Sequence, residues 1–442
     1  MKRWIVLVLV TVAALAALDW VNTGELDRAL TVPALIIGPH GYLYAGANID
    51  TTTVDSGWVF VATDFWHWQR CGDIPGDVRR LYCLLNSRGD TLFAGTQSSY
   101  QGADSGHLYI STDGGTSWLF RSRLRGPRVG PAITALLEDI QGNIHAGINY
   151  MGMSGYPPCR SSDRGFTWTQ GPATAYNAYH YLLIQPADGN LYCGAWGTGG
   201  LVLKSTDGGA NWAGTGTMFD AGRVTTIIEA PGGVLYAGTY PKTNPVEPIG
   251  RVFKTTDGGA TWTEVGYGYF NNTTGVRALC RTANGNLFAG TAPNAEVFVS
   301  SDDGATWTST GTLPGANVVY ALVEKTIGDS NYLYAATGPN GAVFRARLLP
   351  PVGVVHPASA RHLLPALRLW PNPTTGTISV SGLTTTKALV SVFDSRGALV
   401  QTAWLSPGQK RLRLAGRLGS GVYHLLVSYQ GGTTTTTFLL LR

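Results

Sequence analysis

The 442-residue chain is poor in charge and in the residues that most often carry chemistry: charged side chains make up 13%, with Met 4, Cys 5 and His 8. No internal stretch sustains a helical apolar period, which excludes a helix bundle. HExxH, GxSxG, a phosphate-binding loop and a GxGxxG run opening a helix are all missing, so the common metalloprotease, serine-hydrolase and nucleotide signatures do not apply. No CxxC or Cys/His spacing suggests zinc, and neither a metal nor another cofactor is expected. The net charge of +5 is modest and forms no basic stripe with a nucleic-acid motif, so nucleic acid is not an expected partner. One basic group, Arg121, Arg123, Arg125 and Arg128, reads as a solvated loop.

The five cysteines are an odd number, which leaves at least one unpaired within a monomer, the expected state. Cys83, Cys193 and Cys280 fall in apolar runs that read as strands, and Cys71 and Cys159 in loops. Beyond the N-terminus no run approaches the about 20 apolar residues that a membrane span needs. The N-terminus itself has Lys2-Arg3, an apolar run from Trp4 to Leu18 broken only by Thr11, and Ala14-Leu15-Ala16 as a cleavage pattern. Residues 1–17 are expected to be a secretory signal peptide.

Gly 58 and many short alternating runs of Val, Thr, Tyr, Trp and Phe predict an all-β protein. STDGGTSW at 111–118 returns as SSDRGFTW (161–168), STDGGANW (205–212), TTDGGATW (255–262) and SSDDGATW (300–307), with a worn ATDFWHW at 62–68. A second element of the type LYAG precedes each box and occurs seven times, at 42–46, 92–96, 144–147, 191–194, 235–239, 287–291 and 333–337. With the strands around it, each unit is four short strands, and seven such units predict a seven-bladed β-propeller over 19–348. In the box, the Asp carboxylate accepts turn amides, the Gly supplies positive φ, and the Trp returns to the neighbouring sheet. The last unit has no box and no Trp strand, whereas DWVNTG (19–24) matches TWTSTG (306–311) and NWAGTG (211–216). The N-terminal strand is therefore expected to complete blade seven and close the ring.

The SxDxGxTW pattern resembles the Asp-box (BNR) repeat of bacterial sialidases and related glycosidases, and of photosystem-assembly and sortilin-type propellers. That resemblance implies that Asp113/Trp118, Asp163/Trp168, Asp207/Trp212, Asp257/Trp262 and Asp302/Trp307 are structural and lie on the face remote from a ligand. Residues 349–365 read as a Pro-containing linker. Beyond it, Pro371-Asn372-Pro373, Gly376, Asp394 with Gly397, Gly421-Val422-Tyr423 and an apolar tail ending in Arg442 resemble a type IX secretion C-terminal sorting domain. The resemblance implies an Ig-like β-sandwich over 366–442, the type IX machinery as partner, and a secreted or outer-surface location reached through the periplasm. Family members often carry Lys before the last apolar run, where this chain has Thr436-Thr437.

Fold does not fix function, so the loops on the face opposite the boxes matter most. They are rich in aromatics, of which Tyr156, Tyr179, Trp196 and Tyr269 are the candidate stacking platforms for a carbohydrate or surface protein. Packing of the loops against one another explains the same residues equally well. Candidate acids there are Asp104, Asp220, Glu247 and Glu264, none in a setting that suggests a tuned pair. Glu138, Glu229 and Glu324 recur at the end of inner strands and read as turn residues. Arg79, Arg80, Arg223 and Arg277 stand near inner-strand starts, where they line the channel mouth or pair locally. His145 replaces a Tyr or Phe in a strand and reads as core. The leading expectation is a non-enzymatic exported binding module. Its alternative is a glycoside hydrolase of sialidase-like or xyloglucanase-like type, and an assembly factor is a third reading.

Overall fold

The computed structural model describes residues 18–49, 56–76, 78–100, 103–124, 132–149, 157–174, 179–196, 199–242, 247 and 249–348, and in the C-terminal part 368–370, 377–381, 388–393, 399–405, 411–414, 420–429 and 432–440. The expected signal peptide, the expected linker and Tyr156 lie outside the described residues. The chain divides into two compact units, one of them spanning 17–348 and the other containing 349–442.

The first unit is seven four-stranded antiparallel sheets, the blades of a propeller. Blades one to six occupy 29–70, 78–124, 132–170, 180–214, 221–265 and 275–312. Blade seven combines three strands from 318–348 with Val21–Glu25, which pairs antiparallel with Ala342–Leu348 in the register Val21 to Arg345 and Glu25 to Ala342. The ring is thus closed by the N-terminal strand. In the C-terminal unit, strands form one three-stranded and one four-stranded sheet.

Blades pack closely because the second strand carries Gly where the next blade's inner strand arrives. A Cβ on Gly46 would lie 2.2 Å from Leu81, and one on Gly290 would lie 2.5 Å from Val319. The glutamates at inner-strand ends tie blades together as well. Glu138 accepts from Ser87 and the Arg88 amide, Glu229 from the Ala187 amide, and Glu324 from the Ala283 amide. Each reaches the hairpin of the preceding blade, so these are turn residues acting between blades.

All five boxes share one hydrogen-bond pattern. In the box at 255–262, Thr255 donates to Asp257 at 2.7 Å and accepts the Gly259 amide, while Asp257 accepts both the Thr261 amide (2.9 Å) and hydroxyl (2.6 Å). Two consecutive positive-φ residues make the turn, as at Gly258 (φ 66°) and Gly259 (φ 92°). The worn copy keeps the device, with Asp64 accepting the Trp66 and His67 amides and His67 standing where Thr stands elsewhere. Replacing Asp257 with Ala strands those donors and is expected to lower the Tm by ~2–4 °C in a thermal melt, with ligand binding unchanged.

The Trp that leads into each outer strand follows a rule the repeat alone does not reveal. Where the preceding blade's outer strand offers a hydroxyl, the indole N–H crosses to it: Trp68 to Thr23, Trp168 to Ser122, Trp262 to Thr215 and Trp20 to Thr310, at 2.9–3.2 Å. Trp212 and Trp307 follow blades that carry Gly171 and Val265 there, and they donate to their own box carbonyls at Gly209 and Gly304.

Three findings refine or correct the sequence expectations. The first concerns Trp118, expected to be structural like the other box tryptophans. Its ring is buried, 4% exposed, and packs in a cluster with Val59 and Cys71 of blade one, so the apolar role holds. Its indole N–H, however, has no hydrogen-bond partner among the described residues, unlike those of the other four. In the preceding blade Cys71, not a hydroxyl, stands three residues after Trp68 at the place that Thr23 takes after Trp20, and the Trp118 indole does not turn back to its own box carbonyl as those of Trp212 and Trp307 do. A thiol is only a weak acceptor, so Trp118 is held by apolar burial alone.

The second correction concerns the basic group. Arg121 and Arg123 lie on the outer strand Leu119–Leu124 of blade two rather than on a loop, while Arg125 and Arg128 lie outside the described residues. The strand was hidden because exposed and buried residues do not alternate cleanly along LFRSRL. The third is Cys159, which is buried in the strand Cys159–Ser161 and not in a loop. All five cysteines are free thiols.

Candidate functional site

Every inner strand slips register near its start, on the face opposite the boxes. The slips fall at Thr31/Ala34, Leu81/Cys83, Ile133/Ala135, His180/Leu182, Val224/Thr226, Val276/Ala278 and Val319/Ala321. A β-bulge frees a residue from the alternation of a strand and re-aims it, and bulges recur at functional rims. Here the freed residues reach the next blade. Thr134 donates to the His180 carbonyl at 2.5 Å, Thr225 to the Val276 carbonyl at 2.6 Å, and the Arg277 guanidinium lies 4.9 Å from the Tyr320 ring.

On blades four to seven this ring of bulges gathers aromatic and cationic side chains. Tyr179 and Trp196 stack with centroids 5.0 Å apart and planes 24° apart, and the Trp196 amide donates to the Tyr179 carbonyl. Trp196 bridges to Arg223, whose guanidinium lies 4.8 Å from the Trp196 ring. Burial pushes the Tyr181 hydroxyl pKa up, opposed by the positive charges of Arg223 and Arg277. Among the described residues, neither Arg223 nor Arg277 meets a carboxylate. Both are half-buried and cation–π contacts hold them in place.

Of the four proposed platforms, Tyr179 and Trp196 come together. Trp196 is half-buried and already engaged by a ring and a guanidinium. Tyr269 stands apart on the loop after the outer strand of blade five, 42% exposed.

That loop belongs to a second cluster. Arg251, 1% exposed, donates through Nη1 to both oxygens of Glu264 at 2.9 Å, and through Nη2 to Glu247 at 3.0 Å and Asp220 at 3.5 Å. Lys242 pairs with Asp220 at 3.3 Å, and the Tyr267 hydroxyl donates to Glu247 at 2.9 Å. Three of the four candidate acids thus converge, although they come from separate segments; nothing is described of the Asp104 side chain. Arg251 bridges all three of these carboxylates. The hydrogen bond to Glu247 and that carboxylate's charge push the Tyr267 pKa up, the wrong direction for a nucleophile.

A cavity of about 370 Å³ lies on the box face between Asp207 and Asp257, whose side chains are already committed within their boxes. His145 is fully buried, as its place in a strand implied, and bonds Asp139 at 2.9 Å.

No curated protein matches the sequence. Virginiamycin B lyase from Staphylococcus aureus is similar in structure at 12% identity, with a TM-score of 0.57 over 75% of this chain and 99% of that one. YCF48 from Cyanidioschyzon merolae is similar at 14% identity and a TM-score of 0.51, over 74% and 98%. The GH74 enzyme of Niastella koreensis is similar at 14% identity and a TM-score of 0.51, over 95% of this chain and 67% of that one. At such identities these likenesses establish the propeller fold alone. Residues 368–440 match the family described as secretion system C-terminal sorting domain. The chain is therefore an exported seven-bladed β-propeller protein that carries a type IX secretion C-terminal sorting domain and reaches the outer surface or the medium.

Proposed function

We propose that the propeller is a non-catalytic binding module for an extended carbohydrate or other surface polymer bearing acidic groups. The observation that carries this reading is Arg223 and Arg277, each set beside an aromatic ring near the start of an inner strand and meeting no carboxylate among the described residues. Guanidinium groups left in that state take carboxylate or sulfate oxygens, and the adjoining rings stack on sugar faces. The sorting domain supplies the type IX machinery as partner during export; the polymer is the partner afterwards.

The hydrolase alternative needs two acids flanking a bond. The acids of blade five are spent on Arg251 instead, and this favours binding over cleavage.

The double variant Trp196→Ala, Arg277→Ala tests the reading. Losing one stacked ring and one ionic contact is expected to weaken retention on an alginate matrix by about tenfold or more, with the melting curve little changed. Retention is also expected to fall with salt. Equal retention of parent and double variant refutes the site, and hydrolysis of a xyloglucan or sialoside reporter by the intact protein refutes the binding-module reading.

A further inference from the structure

A second site lies on the box face, where blade seven meets the worn box of blade one. In blade five the second and third strands stay paired as far as Leu235 with Thr255, where the box turns. Blade seven has no box. Past its equivalent pair, Leu333 with Ala346, its strands add Tyr332 with Arg347 and Asn331 with Leu348. The inner strand runs on with them and sets Lys325 opposite Tyr332. Lys325, Tyr332 and Arg347 thus share one rung of a regular ladder, and directly opposed residues point to one face. Arg345, two residues before Arg347 on the same strand, points the same way.

That face looks onto blade one. The Lys325 ammonium lies 5.1 Å from the Phe65 ring centre, and it stands 3.0 Å from where a Cβ on Gly41 would be. The Arg345 guanidinium lies 3.8 Å from the Trp66 ring centre and 4.9 Å from that of Tyr332. Phe65 holds φ 63° at the box position where Gly114, Gly208 and Gly258 hold 69°, 71° and 66°. A bulky side chain is disfavoured in that conformation, so the ring is kept there against local preference.

One cation at this place belongs to the repeat. Lys204 and Lys254 stand where Arg345 stands, over Tyr192 and Tyr236, and Lys204 donates to the Gly258 carbonyl of the next box. Arg345 likewise donates to the Phe65 carbonyl at 3.4 Å. Lys325 and Arg347 are the additions that the longer strands of blade seven make possible. None of the three cations is in an ion pair among the described residues. Asp64, the acid of the worn box, is engaged by the Trp66 and His67 amides and the His67 ring.

We propose that this ledge between blade seven and the worn box binds a phosphate monoester. Cations without counter-charges select an anion, and three of them select one of high charge. A phosphate monoester carries about −1.5 to −2 at pH 7 on three acceptor oxygens, whereas a carboxylate carries a single charge on two. Rings beside two of the cations hold them in place without neutralising them. The site is separate from Arg223 and Arg277, which lie near the face opposite the boxes.

The probe is glucose 6-phosphate, titrated by calorimetry into the folded secreted protein beside glucuronate and glucose 6-sulfate. The phosphate is expected to bind at least about tenfold more tightly than either monoanion, and less tightly as salt rises. The Lys325→Gln, Arg347→Gln variant is expected to lose about tenfold or more in affinity. The Trp196→Ala, Arg277→Ala variant, changed on the other face, is expected to retain it. Should the first variant not fold, Arg347→Gln alone changes only an exposed residue and is expected to weaken binding about threefold. Vesicles of phosphatidic acid identify the carrier: retention on them assigns the phosphate to a lipid headgroup, and binding of the soluble ester alone assigns it to a free sugar phosphate. No binding of glucose 6-phosphate, equal binding of glucuronate, or equal affinity in the parent and the Lys325→Gln, Arg347→Gln variant each overturns the proposal.

Discussion

A version of the protein that begins at Glu25 is expected to melt far below one that begins at Asp19, or to aggregate on folding. The difference between them is the outer strand of blade seven together with Trp20. Three side-chain hydrogen bonds vanish at once: Thr23 to the Val343 carbonyl (2.7 Å), Trp68 to Thr23 (3.0 Å) and Trp20 to Thr310 (3.1 Å). At roughly 1 kcal/mol each they account for about 3 kcal/mol before the lost strand ladder is counted. Two of them cross to other blades, Trp20 reaching blade six and Trp68 reaching in from blade one. The strand is therefore fastened on both sides, and its loss loosens three blades together. The stripped edge of Ala342–Leu348 is then open to another chain. The milder Thr23→Val change keeps the strand but removes the bonds to Val343 and Trp68, and it is expected to cost about 1–2 kcal/mol. Equal melting of the two truncated forms would falsify the latch.

Closure was legible in the sequence because DWVNTG repeats the outer strands of other blades, whereas the last unit lacks one. The alternation of indole bonds was written there too, as the hydroxyl three residues after Trp20, Trp212 and Trp307. Cys71, three residues after Trp68, marks the exception at Trp118 in the same way. The meaning of these positions depends on which blade precedes which, so it emerges only once the ring is closed. The Arg251 cluster was not legible at all. Asp220, Glu247, Arg251 and Glu264 sit on four segments whose approach is set by loop paths, and no sequence period records those paths. The stack of Tyr179 on Trp196 is a middle case. Both rings were candidates as loop aromatics, but the seven bulges that shape the rim follow from packing between blades rather than from any residue signature. Arg121 and Arg123 were misplaced for the opposite reason: an edge strand that is half exposed carries no alternation to detect.

Acid is expected to weaken this propeller in two stages, and buried histidines govern the first. His180 opens the inner strand of blade four at 1% exposure, and its Nδ1 accepts the Ile148 amide of blade three at 3.2 Å. A proton on Nδ1 would face that N–H donor, so the imidazolium cannot form without breaking the bond. Burial lowers the His180 pKa from 6.5 to about 4. His107 is lowered to about 4 as well, by burial first and then by the charge of Arg123. Burial also lowers the His145 pKa, against the pull of Asp139. In each case the unfolded chain takes up a proton that the folded chain refuses. The full stability is thus present above pH 6.5 and is lost as pH falls from there through the folded value near 4. For His180 the gap of about 2.5 units corresponds to roughly 3 kcal/mol between pH 7 and pH 4. The box aspartates do not contribute in that window. The Thr261 hydroxyl and then the Thr261 amide hold Asp257 down from 3.8 to about 2, so its share is lost only at more acid pH. His180→Gln keeps an acceptor for the Ile148 amide but does not titrate. Thermal melts at pH 7 and pH 5 are expected to differ by several degrees in the parent and by clearly less in this variant. An unchanged difference would remove His180 from the account and leave the acid response to other groups.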